Sequence, residues 1–338
     1  MSDETPPATP FLYVPKDATG RRGGEADPNA VGWIEGPGIF LLSEAGRFET
    51  APRAGIGYRL VAAVGNAGAV SSQMTFAEFR LAMLPTNQVY PIQYIDAPLR
   101  DTWLGPLLGV TALNVPQSVA GGSLSWAMTP TWHYFRWGPE EALAVVRVSD
   151  PLHDGVGAEF DSRRDRHTAV RPLTPNLSGT WEGEEFDTAG NVVGMVRLSI
   201  EQDWDIAPVI HGATVPRYAI TTQAITRLPD RPVQIGARYE DYCSTGFSFD
   251  IYNGDQVDDR WYGVLTPAAD DTLTLRIDYN DSEPKTRGMA RLTRIGPGTP
   301  GPDVCVPLLR QLDTSPSPTW PASRMADLAV LIEALSHL

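Results

Sequence analysis

The sequence predicts a mainly β chain in two parts, an N-terminal β-sandwich or irregular barrel and a C-terminal up-and-down β-barrel, followed by a short terminal helix. Three observations predict it. Glycine and proline number 31 and 30 among 338 residues, a density that demands many turns yet lacks the period of collagen. Apolar runs are short and alternate with polar residues at the spacing of strands. Turn chemistry falls between them, at Asp187-Thr-Ala-Gly190, Asn253-Gly254 and Asp270-Asp271, the Asn-Gly pair being the favoured two-residue hairpin.

Residues 1–30 hold Pro, Gly, Asp and Arg with almost no periodic apolar positions, and read as an extended N-terminal arm. Residues 31–150 read as a β-rich domain. Its strands are expected at Val31–Ile34, Gly38–Leu42, Ile56–Val64, Val89–Ile95, Ser123–Met128 and Ala142–Val148. One helix is expected among them: Thr75 can cap it, Glu78 stands three residues on, and Phe76, Phe79 and Met83 recur at helical spacing. Residues 151–175 break the pattern and read as a linker.

Residues 176–296 read as a meander barrel of about nine short strands. They are expected at 179–186, 192–201, 208–211, 217–225, 233–239, 246–252, 260–265, 272–279 and 288–295. Consecutive hairpins give an up-and-down order, and closing it removes two exposed edges. Residues 297–338 read as a Pro/Gly-rich linker and an amphipathic helix. Ser323 is the expected cap, and Leu328, Leu331, Ile332 and Leu335 form one apolar stripe.

Gly179-Thr180-Trp181 opens the meander, and Arg291 and Arg294 lie on its last strand. This arrangement resembles the calycin group of barrels, which includes lipocalins, fatty-acid-binding proteins and avidins. The resemblance covers the C-terminal half only. It implies that Trp181 lies across the barrel floor and that Arg291 or Arg294 packs on its face as a cation–π contact. No second lipocalin motif and no counterpart of the avidin biotin-binding set accompanies it, so the resemblance implies a fold and no ligand.

The net charge of −14 opposes a nucleic-acid surface, which needs clustered Lys and Arg. No run of eighteen apolar residues suggests a membrane span. The N-terminus lacks the basic and apolar regions of a secretory signal, so a cytoplasmic or virion location is expected. Cys243 and Cys305 suit free thiols or one disulfide.

Few constellations suggest chemistry. His153 lies between Asp150 and Asp154, and His167 ends a run with Asp161 and Asp165. Such neighbours can orient a general base, but in a turn-rich segment they more often face solvent. Metal-ligand spacing is absent, and the acidic stretch Asn253–Asp259 lacks the ligand pattern of a calcium loop; neither a metal nor a cofactor is expected. Trp126, Trp132, His133, Tyr134, Phe135 and Trp137 crowd together and suit either a sandwich core or an aromatic surface. Within the barrel, Glu182, Glu184, Tyr218, Arg238, Tyr239 and Asp250 are the polar candidates for a ligand-binding lumen. Strand alternation sends half of each strand inward, without saying which half.

Two function classes follow. The first is a non-catalytic structural or interaction protein, such as a subunit of a phage or viral particle, with a protein partner or a homo-oligomeric state. The second is a binder of a small hydrophobic ligand, or a cofactor-free isomerase or cyclase, acting in the barrel lumen.

Overall fold

The structure is a computed structural model that describes residues 8–15, 38–49, 52–53, 55–85, 104–117, 123–135, 140–157, 160, 165–173, 179–206, 209–210, 213–214, 217–228, 231–236, 246–253, 256–265, 272–279, 286–297 and 306–338. The expected strands at Val31 and Val89, both cysteines and Trp137 lie outside these residues.

The N-terminal half is a β-sandwich. Its strands are β1 (Leu12–Tyr13), β2 (Ile39–Ser43), β3 (Phe48–Glu49), β4 (Gly57–Asn66), β5 (Ser72–Pro85), β6 (Leu104–Val115), β7 (Ser125–Met128), β8 (His133–Tyr134), β9 (Glu140–Ser149) and β10 (Thr168–Pro172). One sheet runs β1-β4-β2-β3, with β7 and β8 also paired to β4, and the other runs β10-β9-β5-β6. Alternation along β4 explains why its apolar run is continuous. Tyr58, Leu60, Ala62 and Val64 enter a core with Ala77, Phe79, Ala144, Val146 and Val148 of the second sheet. Val61 and Ala63 enter a second core on the opposite face, so the strand is apolar on both sides because both sides are buried.

Three expectations change here. The helix expected from Thr75 is β5, whose Thr75, Ala77 and Phe79 are buried at a period of two. It lies between β6 and β9 and pairs with both, so the ladder on each edge outweighs the helical spacing of Phe76, Phe79 and Met83. The 151–175 segment contains β10, which pairs with β9 over five residues. The N-terminal arm contains β1, with Leu12 and Val14 fully buried, so this part docks on its own chain.

The second half is a ring of eight antiparallel strands: β11 (Gly179–Phe186), β12 (Val192–Ile206), β15 (Arg217–Leu228), β16 (Arg231–Gly236), β17 (Gly246–Asn253), β18 (Gln256–Leu265), β19 (Thr272–Tyr279) and β20 (Thr286–Pro297). Each pairs with the next, and β20 returns to β11 in the register Trp181 to Arg294 and Glu185 to Ala290. Two short strands, β13 (Val209–Ile210) and β14 (Ala213–Thr214), pair only with each other; the short strand expected at 208–211 belongs to that hairpin. Closure is tight at Gly183, where a Cβ would sit 1.8 Å from the Arg291 carbonyl oxygen. Only glycine fits there.

Two helices follow, α1 (Val306–Leu309) and α2 (Ala322–Leu335). The apolar side of α2 does not cover the barrel. Leu328, Leu331 and Ala334 join Phe40, Leu42, Val61, Ala63, Trp126 and Met128 on the outer face of the first sheet, which makes that half a three-layer helix–sheet–sheet stack. Pro321, in extended conformation, occupies the N-cap and no side chain caps the helix; Ser323 lies inside the first turn. Ile332, expected in the buried stripe, is about half exposed.

Candidate functional site

Closure gives every barrel strand an inner and an outer face. Trp181, Val196, Leu198, Leu273, Leu275, Ala290 and Leu292 are fully buried, and they occupy matching registers across β11, β12, β19 and β20. Between them Glu184, Arg197, Arg276, Arg291 and Thr293 are exposed. The buried set is therefore the inner face.

Near one end of that face the Arg294 guanidinium stacks over the Trp181 ring, 4.3 Å from its centroid. Register makes the contact: the two residues are cross-strand partners where the first and last strands meet. Toward the other end of β11 the inner positions become small. Gly183, Gly194, Gly288 and Ala290 surround Glu185, whose carboxylate is a buried polar group at 5% exposure. Thus the inner face carries an aromatic–cation plug below and small residues beside a carboxylate above.

Several expected residues stand elsewhere. Glu182 and Glu184 alternate with Trp181 and so lie on the outer face, not in the lumen; Glu182 pairs with Arg197 across β11 and β12 at 2.7 Å. Arg291 is three residues before Arg294, of opposite parity, and points outward, so the barrel-closing contact belongs to Arg294 alone. Tyr218 lies on β15, and Asp250 lies on β17 between Gly236 and Arg260. Arg238 and Tyr239 are outside the described residues. Glu185 was not among the sequence candidates, although its spacing from Trp181 placed it on the same face as that ring.

The histidines sit in a structural network. The Asp154 carboxylate accepts the Leu12 backbone N–H at 2.6 Å, pairs with Arg166, and lies 3.2 Å from His167 Nε2. His167 Nδ1 meets Asp165 at 2.7 Å. Burial acts to lower the His167 pKa, but the two carboxylates outweigh it and raise the value. Asp165 is shifted down: burial opposes ionisation, and bonds from His167 and Thr168 more than offset it. Arg166 also stacks on Phe11 at 3.8 Å. The Asp150 carboxylate is spent on Ser72 and the backbone N–H groups of Leu152 and His153. Asp154 and Arg166 thereby hold the N-terminal segment. Among the described residues no group of three or more His, Cys, Asp or Glu is placed to hold a metal.

The aromatic crowd divides. Trp126 and Phe135 are buried, while Tyr134 is exposed and Trp132 is at the margin. Trp126 and Trp320 flank Arg324, whose guanidinium carbon lies 3.4 Å and 5.1 Å from the two ring centroids.

No known protein family and no curated protein matches the chain. A solved structure from Nostoc punctiforme, a protein of unknown function of the DUF3598 family, aligns over 80% of this chain and 99% of its own at 12% identity. Its TM-score is 0.19, too low to carry an argument. No helix among the described residues is long and apolar enough to cross a membrane.

Proposed function

We propose that this chain is a binding protein that holds a small, largely apolar ligand inside its eight-stranded barrel. The observation that carries the reading is the gradient along the inner face, from the Trp181–Arg294 plug to Gly194, Gly288 and Ala290 near Glu185. Eight strands leave an interior just wide enough to be filled by side chains or to hold one small ligand. Small residues on adjoining strands favour the second outcome, and a buried carboxylate supplies the kind of polar group that orients a ligand in an apolar pocket. A calycin-type barrel, the fold implied by Gly179-Thr180-Trp181, is the architecture that fits this reading.

Nile red, a neutral apolar dye, tests it. Saturable binding with energy transfer from tryptophan is expected, and Ala290→Trp, which fills the inner face, is expected to abolish it while the protein still melts cooperatively. Dye binding that survives in folded Ala290→Trp rules the lumen out.

A second reading, a structural subunit of an assembly, draws support from β6. This strand ends its sheet among the described residues and exposes Leu107 and Val110, each at 49%. Sedimentation at micromolar concentration decides it, because a stable monomer contradicts an assembly role.

A further inference from the structure

A cleft of about 450 Å³ opens on the outer surface of the barrel, between the turn after β11 and strand β20. Phe186 and Met289, cross-strand partners on the outer face, form its floor, and Gly288 of the inner row, having no side chain, meets it with backbone alone. The volume falls within the range of small-molecule sites. Gly190, held at φ +84° by the turn, contributes no side chain to its wall.

The polar groups at its rim are unequal. Among the described residues Asp187 is the only carboxylate in the lining, and its oxygens are turned into the loop: they accept the backbone N–H groups of Ala189 and Asn191 at 2.8 and 2.9 Å and the Asn191 side chain at 3.1 Å. Those bonds, the Asn191 side chain's first, hold its pKa below the usual carboxylate range. Arg291, on the other side, is exposed and forms no ion pair with Glu184, its direct partner across β11 and β20. Among the described residues the cleft thus offers a guanidinium without an ion-pair partner above an apolar floor, with its one carboxylate engaged in the turn.

We propose that this outer cleft binds a small amphipathic carboxylate, with the apolar body on Phe186 and Met289 and the carboxylate on the Arg291 guanidinium. The planar fork of arginine matches a carboxylate bidentately. A phosphate-rich ligand fits less well, because one cation faces it, Asp187 stands nearby, and the chain as a whole carries −14. An amine of the same shape meets the guanidinium as a like charge.

Fluorine NMR on the full chain tests this with para-fluorophenylacetate, with para-fluorobenzylamine as the oppositely charged probe and inorganic phosphate as charge without an apolar body. Saturable broadening of the acid at millimolar concentration is expected, with much weaker response to the amine and to phosphate. Arg291→Gln is expected to weaken the acid roughly tenfold or more, the loss typical of a charge-assisted pair. Met289→Asp, a surface change made as a second variant, is expected to remove binding as well. Excess Nile red is expected to leave the acid bound, which separates this site from the lumen. The proposal is overturned if the wild-type chain does not bind the acid, if acid and amine bind alike, if phosphate competes as tightly as the acid, or if folded Arg291→Gln binds as well as wild type.

Discussion

At the scale of single residues, Trp181 decides most about the barrel. Its ring is fully buried, is covered by Arg294, and has Leu198 as its partner on β12. Trp181→Ala is expected to destabilise the chain by roughly 3–5 kcal/mol, the range for removing a large buried aromatic; chemical denaturation measures it, and a near-neutral change contradicts a buried plug. The same ring shows what could be read in advance. A tryptophan on the first strand and arginines on the last are visible in the sequence, and the choice between Arg291 and Arg294 is a question of parity. Once Trp181 is taken as inward, Glu182 and Glu184 must face out and Glu185 must face in. Composition points to acidic residues on β11 but does not distinguish them, because three glutamates lie within four residues and only the pleat sorts them.

At the scale of elements, most barrel strands were legible within a few residues, since each is a short apolar alternation bounded by turn residues. β5 was not, because Phe76, Phe79 and Met83 happen to stand at helical spacing and only its two neighbours reveal a strand. The terminal helix was legible as a helix, but not its destination. α2 is held to the first sheet by Arg324, 9% exposed, which lies between Trp126 and Trp320 and donates to the Trp126 carbonyl at 2.5 Å. Burial lowers its pKa to about 10, with Asp327 opposing that shift, so it stays charged at neutral pH. Asp327 in turn pairs with Arg59 of β4 at 2.7 Å. Arg324→Ala is expected to cost roughly 2–4 kcal/mol, combining a desolvated cation–π contact with a charged hydrogen bond. Hydrogen exchange should show faster opening in α2 and β7 while the barrel strands keep their protection; uniform loss across both halves would contradict a local clamp.

At the scale of the whole molecule, the N-terminal segment is joined to β4 and to the segment between β9 and β10 through backbone bonds and the Asp154 carboxylate. Leu12 pairs with Asn66, the Leu12 N–H binds Asp154, and the Val14 N–H binds the Arg166 carbonyl at 3.0 Å. This gives a pH dependence of known sign. His167 has a folded-state pKa above 6.5, so its contribution is complete below 6.5 and is lost as pH rises through the folded value. Asp165 has one below 3.8, so its contribution is present above 3.8 and is lost as pH falls through the folded value. Denaturant melts across roughly pH 4 to pH 9 should show the alkaline decline, and His167→Asn should flatten it. An unchanged alkaline limb in that variant would place the titration elsewhere.

The sequence by itself determined that the chain is built from short strands and many turns, where most of those strands begin and end, and that a helix closes it. These are local properties, encoded in alternation, Gly, Pro and Asn-Gly pairs. Only the tertiary structure decided which face of β11 is inner, that α2 crosses to the first sheet, and that the Asp and His run before β10 fastens the N-terminal segment. Those outcomes depend on partners far away in the chain: Trp181 and Arg294 meet because β20 returns to β11, and Leu12 reaches Asp154 because two sheets stack. Alternation says that a strand has two faces; closure of the ring says which one water cannot reach.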